Sequence, residues 1–101
     1  MITIRDLNAM DQISISTRNS QYQFQVLEPA RCRGVLSGGR CGDEQYEAIL
    51  TGAIKGDRSC PSISAELEIG TCALFYIAAQ ETMKCLTTSI ITDLKIGCDV
   101  L

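Results

Sequence analysis

Residues 12–27, QISISTRNSQYQFQVL, alternate polar and apolar side chains on both sides of an Asn19-Ser20 pair, and this constrains the fold more than any other stretch. Successive side chains on a strand point to opposite faces. Asn tolerates the left-handed backbone that a two-residue hairpin loop favours, so the chain is predicted to turn at Asn19-Ser20. That turn would set Thr17 opposite Tyr22, Ile15 opposite Phe24 and Ile13 opposite Val26. The other face would pair Ser16 with Gln23 and Ser14 with Gln25. A one-residue slip would scatter the apolar set over both faces, so the pattern specifies which face is buried. Two strands alone do not hold in water. Further strands must cover Ile13, Ile15, Tyr22, Phe24 and Val26.

The remaining chain supplies them. Residues 2–4 read as an edge strand and residues 6–10 as a turn. Pro29 ends the hairpin, because it cannot donate to a sheet ladder. Residues 32–37 read as a third strand, with Gly34 marking a bulge or a close backbone crossing. Residues 45–54 form a fourth strand, and Gly52 suits a bend. Residues 55–64 read as a long surface loop. Residues 71–96 admit two drawings. A hairpin turning at Gln80-Glu81 would pair Phe75 with Leu86, Ala73 with Thr88, Thr71 with Ile90 and Ile77 with Lys84. A helix at about residues 71–86, giving an α+β fold, is the alternative. The β-branched run LTTSIITDLKI favours the hairpin. The expected class is therefore all-β: one small barrel, closed or partly open, of five or six mostly antiparallel strands over residues 1–101.

Length and composition narrow the function classes. A chain of 101 residues holds one modest core. No apolar run approaches the ~18–20 residues of a membrane helix, so no membrane partner is expected. The N-terminus lacks a basic start followed by an apolar stretch, which points to a cytoplasmic protein. The six cysteines are then expected to be free thiols. A net charge of −3 argues against nucleic acid as the general partner. The charge is uneven, however. Residues 17–40 carry Arg18, Arg31, Arg33 and Arg40 against Glu28 alone, and these four arginines are the candidate anion- or nucleic-acid-binding residues.

No catalytic constellation stands out. Histidine is absent, which removes Ser-His and Cys-His pairs and imidazole metal ligands. Cys32 lies between Arg31 and Arg33, and Cys41 follows Arg40. These are the thiols that neighbouring cations would activate in a redox reading. Cysteine spacings of 8, 18, 11, 12 and 12 intervening residues offer no tight pair for zinc. The expectation is no metal, no cofactor and no enzyme.

Taken together, ISTRNSQYQFQVLEP, GVLSGG, ILTGAI and LTTSIITDLKI resemble uncharacterised short bacterial proteins with an SH3-like or Sm-like small barrel. The resemblance implies a fold and carries no catalytic residue with it. RNA-binding Sm proteins bear an Asp and an Asn in one loop and an Arg-Gly pair in another. Here IKGD at residues 54–57 approaches the second, and the first has no counterpart. Leu27, Leu36, Leu74, Tyr76 and Ile91 fall off the expected core faces, which points to burial against a second subunit. The expected function is a non-catalytic binding or assembly module forming homo-oligomers. A nucleic-acid-binding barrel and a thiol redox protein are the alternatives.

Overall fold

In the computed structural model, which describes residues 2–42, 44–55, 62–79 and 81–98, every long element is a strand and no α-helix occurs. The strands are β1 (Ile2–Thr3), β2 (Asp11–Thr17), β3 (Gln21–Glu28), β4 (Arg33–Gly38), β5 (Gln45–Lys55), β6 (Ser62–Ser64), β7 (Glu66–Leu67), β8 (Cys72–Ala79), β9 (Thr82–Thr87) and β10 (Ile91–Cys98). All pairings are antiparallel. The main sheet runs in the order β10-β2-β3-β4-β5-β8-β9, with β6 beside one end of β5. β1 and β7 form a separate two-stranded ribbon.

The first hairpin forms with the expected faces but a different register. Ile13 pairs with Phe24 and Ile15 with Tyr22, so the two-residue loop is Arg18-Asn19 and not Asn19-Ser20. The shift is two residues, which returns every side chain to its original face. Hydrophobic patterning is blind to such a step. The turn is decided instead by Thr17 and Ser20. The Thr17 N–H donates to the Ser20 carbonyl at 2.8 Å, and the Ser20 N–H donates to Thr17 Oγ1 at 3.1 Å. No residue of this turn has a positive φ, so the left-handed tolerance of Asn19 goes unused.

The second hairpin settles the choice over residues 71–86 in favour of strands and against the helix. Phe75 faces Leu86, Tyr76 faces Cys85 and Ile77 faces Lys84, the expected register, with Glu81 left-handed in the turn. Ala73 meets Thr88 through the Thr88 N–H to the Ala73 carbonyl, 2.9 Å. The strand expected to run on from Leu86 is split, however. β9 lies at one edge of the sheet and β10 at the other.

That split reports how the sheet curves. A flat sheet of seven strands would hold its edges ~29 Å apart. The chain passes from Thr87 to Ile91 over four Cα steps, which reach at most ~15 Å. The sheet must therefore roll. The core agrees: the rings of Phe24 on β3 and Phe75 on β8, three strand positions apart, meet with centroids 5.3 Å apart at 58°. The roll is pinned at one corner, where the Ile91 N–H donates to the Thr71 carbonyl (2.8 Å) and the Gly70 N–H to the Ile91 carbonyl (2.9 Å). β9 and β10 do not pair along their length, so the sheet stays open at two edges rather than closing, and its seven-strand order replaces the expected five or six.

Tyr22, Phe24, Phe75, Ile13, Ile15, Leu50, Leu67 and Val26 fill the interior. Leu36 and Ile91 join this core and Leu74 is buried outside it, contrary to the expectation that they meet another subunit, while Leu27 and Tyr76 do lie exposed. Gly34 is a close crossing: a Cβ there would stand 1.9 Å from the Gln25 carbonyl oxygen. Gly52 follows a register break in β5, beside the backbone of Ser64. Residues 56–61, most of the expected long loop, lie outside the described residues.

Candidate functional site

Three parts of the surface carry chemistry, and the roll decides where each sits. The first is the arginine stretch. Strand β4 runs back along β3, so Arg33 is paired opposite Glu28, at the far end of β3 from the Arg18-Asn19 turn. Arg31 Nε lies 3.4 Å from Glu28 Oε1, and Arg33 reaches both Glu28 and Glu47. The cationic excess read from the sequence is balanced here by two carboxylates, one of them from β5. Eight residues of extended chain separate this cluster from the β2–β3 turn, ~23 Å. Arg18 and the Arg31–Arg33 pair thus do not converge. The backbone of Arg40 lies in the turn Gly39–Cys41 beyond β4, and its side chain lies outside the described residues.

The thiols flagged for activation are held as thiols. Cys32 has a left-handed backbone (φ 52°), and its Sγ points at the carbonyl oxygens of Pro29 (3.7 Å) and Ile4 (3.8 Å). A carbonyl accepts a proton and repels a thiolate. Burial pushes the Cys32 and Cys41 thiols above their ordinary range, opposite to what a nucleophile needs. The flanking arginines offer no rescue for Cys32, since both are engaged by glutamates. Cys72 is half-buried and Cys85 exposed; both are free. Cys60 and the side chain of Cys98 lie outside the described residues. Among the described residues no three metal-ligating side chains converge. The Tyr46 hydroxyl donates to the Glu44 carboxylate, and that bond together with the carboxylate charge raises the phenol above its usual range.

The second part is the outer face of the sheet, which changes character across its width. Over β10, β2 and β3 it is polar and mostly uncharged: Ser14 lies between Lys95 and Gln23, Ser16 between Asp93 and Gln21, and Gln12 beside Gln25. A shallow groove of about 180 Å³ runs among Gln12, Gln23, Gln25, Ser37 and Gln45. Beyond the Arg33–Glu47 pair the same face turns apolar. Ile49 on β5 lies beside Tyr76, Tyr76 beside Cys85, and Ala78 beside Met83. Tyr76 is 42% exposed and Met83 55%.

The third part was missed in the sequence. At the pinned corner a cavity of about 450 Å³ opens between the β2–β3 turn, the start of β8 and the β9–β10 crossover. Arg18, Asn19, Cys72, Ser89, Ile90 and Thr92 line it. Its frame is a set of threonines. Thr17 closes the turn, Thr71 Oγ1 donates to the Glu68 carbonyl (2.7 Å), and Thr88 Oγ1 accepts from the Ala73 N–H (2.9 Å). Thr92 Oγ1 donates to the Ser16 carbonyl at 3.2 Å. Thr17, Thr71 and Thr88 are three of the four buried polar residues of the described chain. In the sequence they read only as strand-forming residues.

No protein-family model, curated protein or solved structure matches the chain. Among the described residues no helix is long and apolar enough to cross a membrane.

Proposed function

We propose that this chain is a non-catalytic binding and assembly module that associates with copies of itself through the outer face of β8 and β9. The observation that carries the reading is the apolar row Ile49–Tyr76–Cys85, with Met83 beside it, running out to an unpaired sheet edge. An apolar patch rimmed by polar residues marks an interaction surface. The edges themselves carry devices against indiscriminate strand addition. β10 has a register break between Ile91 and Asp93 and exposes Asp93 and Lys95, while β9 exposes Lys84. Face-to-face packing of two β8–β9 hairpins is the arrangement that uses the patch and leaves the charged edges in water. An isologous pair would place each Tyr76 against the partner's patch, with the Arg33–Glu47 pair at the rim.

The SH3-like or Sm-like kinship belongs to the same proposal. It is supported by the rolled antiparallel sheet, and the gap between β9 and β10 is where this chain departs from a closed barrel. A bacterial, cytoplasmic setting fits the reading, because the exposed Cys85 thiol stays reduced there. The nucleic-acid reading is weakened by the engagement of Arg31 and Arg33 with Glu28 and Glu47.

Light scattering over a concentration series tests the proposal. The expected result is a mass that rises to an integral multiple of 11.0 kDa. Tyr76→Ser with Met83→Ser should return it to the monomer with an unchanged circular dichroism spectrum. A monomer at every concentration, or an oligomer indifferent to the double substitution, overturns it.

A further inference from the structure

We infer that the corner cavity binds a small organic carboxylate: an anionic head held by Arg18 and a short apolar body lying against Ile90 and Cys72. The site is separate from the self-association face, so a monomeric protein would leave the inference standing.

Arg18 supplies the only positive charge among the described residues that line the cavity. Among the described residues its guanidinium has no carboxylate partner and no other bonded contact, whereas Arg31 and Arg33 are both paired. It stands in a two-residue turn that Thr17 and Ser20 clamp through three hydrogen bonds, so its backbone is fixed while its side chain is unengaged. Beside it the Asn19 amide and the Ser89 hydroxyl likewise have no partner among the described residues. Thr92 differs, because its hydroxyl proton is committed to the Ser16 carbonyl and it can only accept from a ligand. The residues around this mostly apolar pocket therefore carry one cationic fork and two neutral donors, with apolar surface from Ile90 (60% exposed) and the half-buried Cys72.

That inventory selects a ligand class. A planar guanidinium matches a carboxylate with two parallel hydrogen bonds. One positive charge balances one carboxylate, whereas a phosphate dianion or a nucleic-acid backbone calls for several cations, and here there is one. No aromatic side chain lines the cavity for a base to stack upon. The volume of about 450 Å³ lies within the ~300–1,000 Å³ range of small-molecule sites. The walls are also pre-formed. Three threonines of the frame are buried and hydrogen-bonded, and Ile91 ties the crossover to Thr71 and Gly70, so no segment has to order on binding.

Hexanoate is the probe, with 1-hexanol and inorganic phosphate as comparisons, titrated at pH 7 into the full chain and followed by amide and arginine side-chain NMR. Hexanoate should bind saturably with Kd near or below about 1 mM and shift the signals of Arg18, Asn19, Cys72 and Ile90. Both 1-hexanol and phosphate should bind at least about tenfold more weakly, since each lacks one half of the recognition. Arg18→Gln should weaken hexanoate by roughly ten- to a hundredfold. Ile90→Ser should weaken it by about tenfold while leaving Arg18 in place. Both side chains are exposed, so the variants should melt with the parent. No saturation by hexanoate, equal binding of 1-hexanol or phosphate, or an unchanged affinity in Arg18→Gln overturns the inference.

Discussion

On the β2–β3 hairpin the outer face carries Ser14, Ser16, Gln21, Gln23 and Gln25; on the β8–β9 hairpin the same face carries Tyr76, Ala78, Met83 and Cys85. The inner faces are alike. Tyr22, Phe24 and Val26 on one hairpin and Ala73, Phe75 and Leu86 on the other are buried in a common interior. Both hairpins are thus anchored in the core, the first with more side chains, and they differ most where each meets its surroundings. One outer face is complete in water. The other leaves apolar surface uncovered at a sheet edge, although nothing in the fold requires Tyr76 or Met83 to be apolar. Folding explains the inner faces; the uncovered outer face of β8–β9 is the basis of the proposed self-association.

The comparison breaks first at the core if either hairpin is not anchored there. Phe24 and Phe75 are both 0% exposed and touch each other, so Phe24→Ala and Phe75→Ala should each cost about 3–5 kcal/mol in urea unfolding. The double variant should cost less than the sum by about 0.5–1.5 kcal/mol, the share of the ring–ring contact. A cost below about 1 kcal/mol for either residue would mean that its hairpin is not anchored in the interior.

What the sequence revealed follows from the range of the interactions concerned. Alternation over residues 12–27 identified the buried face of the first hairpin, because burial depends only on odd and even positions. Its register escaped, since a shift of two leaves the faces unchanged and the Thr17–Ser20 clamp is a local detail of hydroxyl geometry. The second hairpin was read in register because only a turn at Gln80-Glu81 pairs Phe75 with Leu86. A rolled sheet was expected, but the corner that sets the roll was not legible. It rests on Ile91 meeting Gly70 and Thr71, twenty residues back, and with it went the cavity and the reason for the buried threonines. The arginines failed for a related reason. Their number could be counted, but their engagement depended on β4 bringing Arg33 to Glu28 and on β5 supplying Glu47.

A smaller difference separates the hairpins at their threonines. Thr88 Oγ1 accepts from the Ala73 N–H in a bond buried on both sides, whereas Thr17 Oγ1 accepts from the Ser20 N–H at a turn partly open to water. Thr88→Val keeps the shape and strands a buried donor, which should cost about 1–3 kcal/mol. Thr17→Val should cost about 0.5–1.5 kcal/mol, because water can reach the Ser20 N–H. Paired chemical denaturation curves check the order. A reversal would place the tighter polar anchor in the first hairpin, and the corner would no longer depend on the crossover.

The smallest expected effect concerns the thiols beside each hairpin, Cys32 after β3 and Cys85 on β9. Among the described thiols the exposed Cys85 should react first with a thiol reagent at neutral pH and the half-buried Cys32 more slowly, while the buried Cys41 waits for the fold to open. The same burial makes stability depend on pH. Cys32 and Cys41 have folded-state pKa values above the ordinary thiol range, so the folded protein holds these protons more tightly than the unfolded chain. Their contribution is complete below the unfolded thiol pKa, ~8.5. It declines as pH rises beyond that value, because the unfolded chain then loses protons that the folded protein keeps. Unfolding free energies measured at pH 7 and at about pH 9.5 should therefore fall in the parent. In Cys32→Ala with Cys41→Ala the fall should be shallower. A fall in the double variant as steep as in the parent would mean that these two thiols, on the flank of the first hairpin, are not the groups that hold the proton.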